Sequence, residues 1–99
     1  MLKVLKVSCI QMNMLLGQTE NNFSYARKLT EKALRTEKSD VIVLPEMWNT
    51  GFFPKENLEM LADTDGNRTL ELLSRLAREY NVNIVGGSVA NRKNGNIYN

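Results

Sequence analysis

The spacing of apolar residues changes along this chain, and each change marks an element. Val4 to Met14 is rich in apolar and β-branched residues and runs into Gly17-Gln18-Thr19, which predicts a strand and then a turn. From Glu20 to Lys38 the apolar positions become Phe23, Ala26, Leu29 or Thr30, and Ala33-Leu34. That three- to four-residue spacing predicts an amphipathic helix, with Thr19 as its N-cap candidate. Glu31 and Arg35 stand four apart with the acid first, the favourable order for a surface ion pair. Val41-Ile42-Val43-Leu44 is a continuous branched run too short for a helix, as expected of a parallel strand, and Pro45 ends it by removing a donor.

A loop is predicted from Met47 to Thr64. A second helix follows, with Leu70, Leu73, Leu76, Ala77 and Tyr80 as its apolar stripe, Asp65 or Asn67 as cap and Asn81 as a left-handed stop. Val82 to Ala90 reads as one third strand. Asn94-Gly95 favours a type I′ hairpin, so Ile97-Tyr98-Asn99 reads as the start of a returning strand at which the sequence stops. The fold class is therefore α/β, in the order β-α-β-α-β plus the start of a hairpin return strand. Right-handed crossovers tend to put both helices on one face of a mainly parallel sheet, leaving the other face without cover.

Composition narrows the chemistry. The 99 residues are 42% hydrophobic and 24% charged, an ordinary globular balance. Thirteen basic against eleven acidic residues leave a net charge of +2 without a run of like charge, so neither nucleic acid nor a membrane surface is an implied partner. The absence of histidine removes Ser-His-Asp and Cys-His devices and histidine-ligated metals. One cysteine, Cys9, excludes an internal disulfide and thiolate zinc clusters, so no metal or cofactor is expected. Lysines interrupt the apolar N-terminus, which lacks a signal-peptide core, and a cytoplasmic location is the default.

Glu46 is the leading candidate for chemistry. It sits where the buried strand Val41–Leu44 ends, and ligands of open α/β sheets bind at the carboxyl ends of strands. A carboxylate there, partly desolvated beside Trp48 and Phe52, suits a general base; otherwise it is a loop acid in water. Trp48, Phe52 and Phe53 either line an acyl pocket or anchor the loop, and Asn49 and Thr50 either orient substrate or cap the turn. Cys9, in the first strand, reads as a small buried side chain rather than a nucleophile. Gly86-Gly87-Ser88 comes near a nucleophile elbow, but a polar hairpin follows it instead of a helix. The two glycines read instead as a close backbone approach inside a sheet.

The stretch Val43-Leu44-Pro45-Glu46-Met47-Trp48-Asn49-Thr50-Gly51-Phe52 resembles the nitrilase superfamily of carbon-nitrogen hydrolases. Cys9-Ile10-Gln11-Met12-Asn13, Asn21-Asn22-Phe23, Ile84-Val85-Gly86-Gly87-Ser88 and Ile97-Tyr98-Asn99 extend the resemblance over essentially the whole chain. It looks closest to the bacterial omega-amidase-like branch, which hydrolyses terminal amides of small carboxylic acids. The resemblance implies an α-β-β-α sandwich, commonly dimeric, and a Glu, Lys and Cys catalytic set in which Glu46 matches the glutamate. Residues 1–99 would then be a partial domain, truncated before the lysine and cysteine and inactive alone, whose complete form takes a small-molecule amide. A reading from a different class is a non-enzymatic binding or assembly module using the uncovered sheet face. A small phosphate-binding α/β domain is a third, and it lacks the clustered acids that site needs.

Overall fold

A computed structural model describes residues 3–52 and 57–99. Three short parallel strands form the central sheet: β1 (Val7–Cys9), β2 (Val41–Val43) and β4 (Asn83–Val85), in the order β1-β2-β4. Helix α1 (Thr19–Lys32), prolonged by a wider π-type turn over Ala33–Glu37, connects the first two strands. The second connection holds the four-residue helix α2 (Leu58–Leu61), the two-residue strand β3 (Asp63–Thr64) and helix α3 (Asn67–Tyr80). Beyond β4 the chain enters a second sheet, ordered β3-β5-β6, in which β5 (Asn91–Lys93) and β6 (Asn96–Tyr98) form an antiparallel hairpin. The expected α/β architecture is found, and no helix among the described residues is long and apolar enough to cross a membrane.

Both long helices cover the same face of the central sheet. Ile42, fully buried, and Ile84 lie on this face, and they share one core with Phe23, Ala26 and Leu34 of the first connection and with Leu72, Leu73 and Tyr80 around α3, where Leu76 is also buried. The opposite face carries Val7, Cys9, Val41, Val43, Asn83 and Val85, which the register aligns in two rows across the strands. Val7 and Val85 keep 51% and 54% of their surface exposed, so this face is uncovered, as the crossover rule anticipates.

Several local expectations are met. The Glu31–Arg35 pair forms at 3.6 Å. Asn81 ends α3 in the left-handed conformation, and Asn94 and Gly95, both left-handed, turn the hairpin. Others are corrected. Thr19 is the first residue of α1 rather than its cap, since Gln18 holds the cap position without a side-chain bond. The N-terminus of α3 is capped from further upstream than Asp65 or Asn67. Asp63 accepts the N–H groups of Arg68 and Thr69 at 3.1 and 2.8 Å and the Thr69 hydroxyl at 2.7 Å. That places a carboxylate against the positive end of the helix dipole. Leu70, expected in the apolar stripe, is 66% exposed, whereas Leu72 packs on the core in its place. Cys9 is exposed rather than buried, because its side chain falls on the uncovered face.

The segment Val82–Ala90 is not one strand. It pairs with β2 only as far as Val85, then crosses to the second sheet. The break lies at Gly87, whose φ is +63° and where an added Cβ would lie 2.0 Å from the Pro45 carbonyl oxygen. The glycines do mark a close backbone approach, but at the exit from the sheet rather than within it.

Candidate active site

Glu46 leaves the carboxyl end of β2, the middle strand of the central sheet, and is exposed at the start of a turn spanning residues 46–50. The backbone makes that turn through Met47, a non-glycine residue at φ +50°. Such a conformation persists only where surrounding bonds over-determine it. Here they come from Ser88: its hydroxyl accepts the Met47 N–H at 3.0 Å and its carbonyl the Trp48 N–H at 3.2 Å, while its own N–H donates to the Pro45 carbonyl at 3.2 Å. The residue resembling an elbow serine is thus a clamp on the Glu46 turn.

Trp48 anchors the turn from beneath. It is fully buried, its indole N–H donates to the Gly86 carbonyl at 2.9 Å, and its ring meets Phe23 edge-on with centroids 4.8 Å apart. Asn49 is equally buried. Its carboxamide donates to the Ala90 carbonyl at 3.0 Å and accepts the Ala90 and Thr50 N–H groups, each at 2.9 Å. Asn22 of α1 completes the frame by accepting the Leu15 N–H at 2.8 Å and donating to the carbonyls of Leu15 and Asn49 at 2.8 and 2.9 Å. Each of these two buried amides makes three hydrogen bonds, which fixes the loops after β1 and β2 against each other.

The hairpin closes on the same point. β6 pairs Tyr98 with Asn91, and the next residue, Asn99, donates its side-chain N–H to Glu46 Oε1 at 2.8 Å. The structure therefore brings Glu46, Ser88 and Asn99 together at the end of the sheet. Glu46 is exposed rather than partly desolvated as expected; Trp48 faces the core and Phe52 is half exposed. Phe53 lies outside the described residues. No hydrogen bond joins Glu46 to Cys9 among the described residues.

Beside the site, Leu73, Ala77, Ile84, Gly86, Ser88 and Tyr98 line a mainly apolar hollow of about 570 Å³ that Asn99 borders. A larger one, about 710 Å³, lies away from Glu46, between the first turns of α1 and α3. Arg68 crosses this second hollow. Its guanidinium grips the Glu20 carboxylate at 2.6 and 2.7 Å and stacks 4.0 Å from the Phe23 ring centroid. The hydrogen bonds from Arg68, and then its charge, hold the Glu20 carboxyl below its ordinary range.

Asn22, Asn49 and Ser88 are the supporting residues that sequence reasoning left unassigned or open. Neither a polar residue in a loop, such as Asn49 or Ser88, nor one on a helix, such as Asn22, gives a local sign that it is buried.

Comparison with known proteins covers most of the chain. The carbon-nitrogen hydrolase family profile matches residues 6–99. A 2-oxoglutaramate amidase of Bacillus subtilis (strain 168) is 41% identical over 93 residues, covering 94% of this chain and 35% of the relative. A protein of Staphylococcus aureus described as a hydrolase in the agr operon is 37% identical, over 96% of this chain and 36% of its own length. A chloroplastic omega-amidase of Arabidopsis thaliana is 30% identical over 81% of this chain and 22% of its own. The chain thus spans about a third, or less, of these curated relatives.

Proposed function

Because this chain belongs to the carbon-nitrogen hydrolase family, we propose that it forms the N-terminal portion of an omega-amidase-like enzyme in which Glu46 is the general base. The observation that carries the reading is the placement of Glu46. It is an exposed carboxylate at the end of the middle parallel strand, on a turn pinned by Ser88, Trp48 and Asn49. Such rigid support is what a base needs to meet its proton in one geometry.

The proposed substrate is a small non-peptide amide, cleaved to acid and ammonia. Glu46 takes the proton of a cysteine thiol as the sulfur attacks the amide carbon. A lysine stabilises the negative charge that forms on the carbonyl oxygen. The C–N bond then breaks, the proton passes from Glu46 to the departing nitrogen, ammonia leaves and a thioester remains. Water, giving its proton to Glu46, hydrolyses the thioester and the thiol is restored. The lysine and cysteine would come from outside these residues, so the 99-residue chain alone is expected to be inactive. Phe52 would contribute to the acyl pocket and Trp48 would brace it from below. The proposed location is the cytoplasm, which suits a chain with one unpaired cysteine.

The test is ammonia release from a small terminal amide. The 99-residue chain should release none; release that Glu46→Gln abolishes would overturn the claim of inactivity. In a polypeptide that joins these residues to a cysteine- and lysine-bearing portion, Glu46→Gln should cut the rate by at least about 10²-fold. An unchanged rate would remove Glu46 from the mechanism.

A second reading rests on a separate observation, the uncovered apolar face bearing Val7 and Val85. It is that the chain associates through this face with a partner or a second copy.

A further inference from the structure

We propose that Asn99 is a positioning residue for Glu46, holding one oxygen of the carboxylate so that the other alone is left for proton transfer. The inference rests on the reading of Glu46 as base, and it adds a residue to that site.

The bond from Asn99 Nδ2 to Glu46 Oε1 is 2.8 Å long and joins residues 53 apart in sequence. Glu46 takes part in no ion pair among the described residues, and it is exposed. A glutamate side chain without a partner samples many rotamers, whereas a base has to present one oxygen to one proton. A single directional donor removes most of that freedom. A carboxamide nitrogen suits the task because it donates only: it cannot accept the proton that Glu46 carries, as a second carboxylate or a neutral imidazole could.

The position of Asn99 is itself set by the Glu46 turn. Asn49 grips Ala90, the residue before β5; β5 pairs with β6 in a register set by the left-handed Asn94-Gly95 turn; and β6 delivers Asn99 to Glu46. The chain thus forms a closed circuit that begins and ends at the carboxylate. A displacement anywhere along it would be felt at Oε1.

The deciding measurement is NMR of the 99-residue chain at pH 7. In the wild type the two Asn99 side-chain amide protons should be well separated and should move in Glu46→Ala, and the two Glu46 γ-methylene protons should be inequivalent. In Asn99→Ala and Asn99→Leu the γ-methylene signals should converge, while the backbone amides of residues 47–50 and 86–90 stay in place. Asn99 amide signals that ignore Glu46→Ala, or γ-methylene signals unchanged by both Asn99 variants, would overturn the proposal. In a polypeptide active on a small amide, Asn99→Ala should lower kcat about ten- to a hundredfold with KM held within about twofold. An unchanged kcat beside an inactive Glu46→Gln would sink the positioning role alone. Full activity of Glu46→Gln would instead sink the general-base reading, with the NMR result still reporting whether the bond exists.

Discussion

Asn49 pairs with Ala90 as one strand pairs with another, with a side chain standing in for the backbone: it donates to the Ala90 carbonyl at 3.0 Å and accepts the Ala90 N–H at 2.9 Å. The same oxygen accepts the Thr50 N–H at 2.9 Å, and all of this lies out of water. Asn49→Leu would leave the buried N–H groups of Ala90 and Thr50 unpaired and remove one of the two donors to the Ala90 carbonyl, which keeps the Asp63 N–H at 2.8 Å. At about 1–3 kcal/mol for each orphaned group, a loss of roughly 3–5 kcal/mol is expected. For a chain of 99 residues that is a large part of the whole stability. Urea unfolding of the variant should show it, and a change under about 0.5 kcal/mol would mean that Asn49 is not the clamp described.

Two glycines, both left-handed, should behave differently when given a methyl group. At Gly95 an added Cβ meets nothing within 4 Å, so Gly95→Ala should cost only the left-handed penalty of about 1–2 kcal/mol. At Gly87 the same Cβ would stand 2.0 Å from the Pro45 carbonyl oxygen and 2.6 Å from that of Leu44, and both are backbone. Gly87→Ala should therefore push apart β2 and the segment that clamps Glu46, at a cost above about 3 kcal/mol. Equal urea midpoints for the two variants would contradict this geometry.

Trp48, the only tryptophan, gives an internal probe. A fully enclosed indole should emit at short wavelength in the folded chain and shift to the red on unfolding. Trp48→Phe keeps an aromatic against Phe23 but leaves the Gly86 carbonyl without its donor and opens space in the core. A destabilisation of about 2–4 kcal/mol follows. Solvent-like emission from the native chain would contradict the placement of the ring.

What the sequence disclosed, and what it hid, follows from the range of each interaction. Val41–Leu44, the Phe23–Leu34 spacing and Asn94-Gly95 are local signals, and the strand, helix and turn they predict are present. Strand polarity and the surrounding motif make Glu46 a candidate, and the structure places it exposed at the carboxyl end of β2. Val82–Ala90 reads as a single strand because its apolar pattern runs through unbroken; only the approach of Gly87 to Pro45 interrupts it, and that is a tertiary contact. β3 has two residues, too few to leave a pattern. The sequence offers cap candidates for α3 only next to the helix, whereas Asp63 reaches it across a turn. Cysteine is a residue type usually buried, which points Cys9 to the core, yet burial depends on which sheet face the crossovers cover.

The Arg68–Glu20 fork links α1 to α3, and its pH dependence has a definite sign. Glu20 has a folded-state pKa below its ordinary value of 4.5, chiefly through the hydrogen bonds from Arg68. The contribution is therefore present above that ordinary value and lost as the pH falls through the lowered folded value. Both side chains are open to solvent, so the effect is small and weakened by salt. Urea midpoints measured from neutral pH into the acid range should fall less steeply for Glu20→Gln than for the wild type. Parallel profiles would show that the fork contributes nothing to stability.

The uncovered sheet face makes Cys9 a reporter of association. Cys9 and Val85 flank Val43 in the same row of the face, and Cys9 is exposed. In a dilute monomer a bulky thiol reagent should label it completely without denaturant. If two copies meet through this face, the labelling rate should fall as protein concentration rises, and light scattering should report the larger species over the same range. Replacing Val7 and Val85, each about half exposed, with Thr would make the face less apolar at little cost to the core, and should restore fast labelling at high concentration. Labelling that stays fast at every concentration, from a monodisperse monomer that binds no apolar-surface dye, would remove the association reading. The hydrolase reading would stand unaffected, since its evidence lies at Glu46 on the carboxyl end of β2 and does not involve this face.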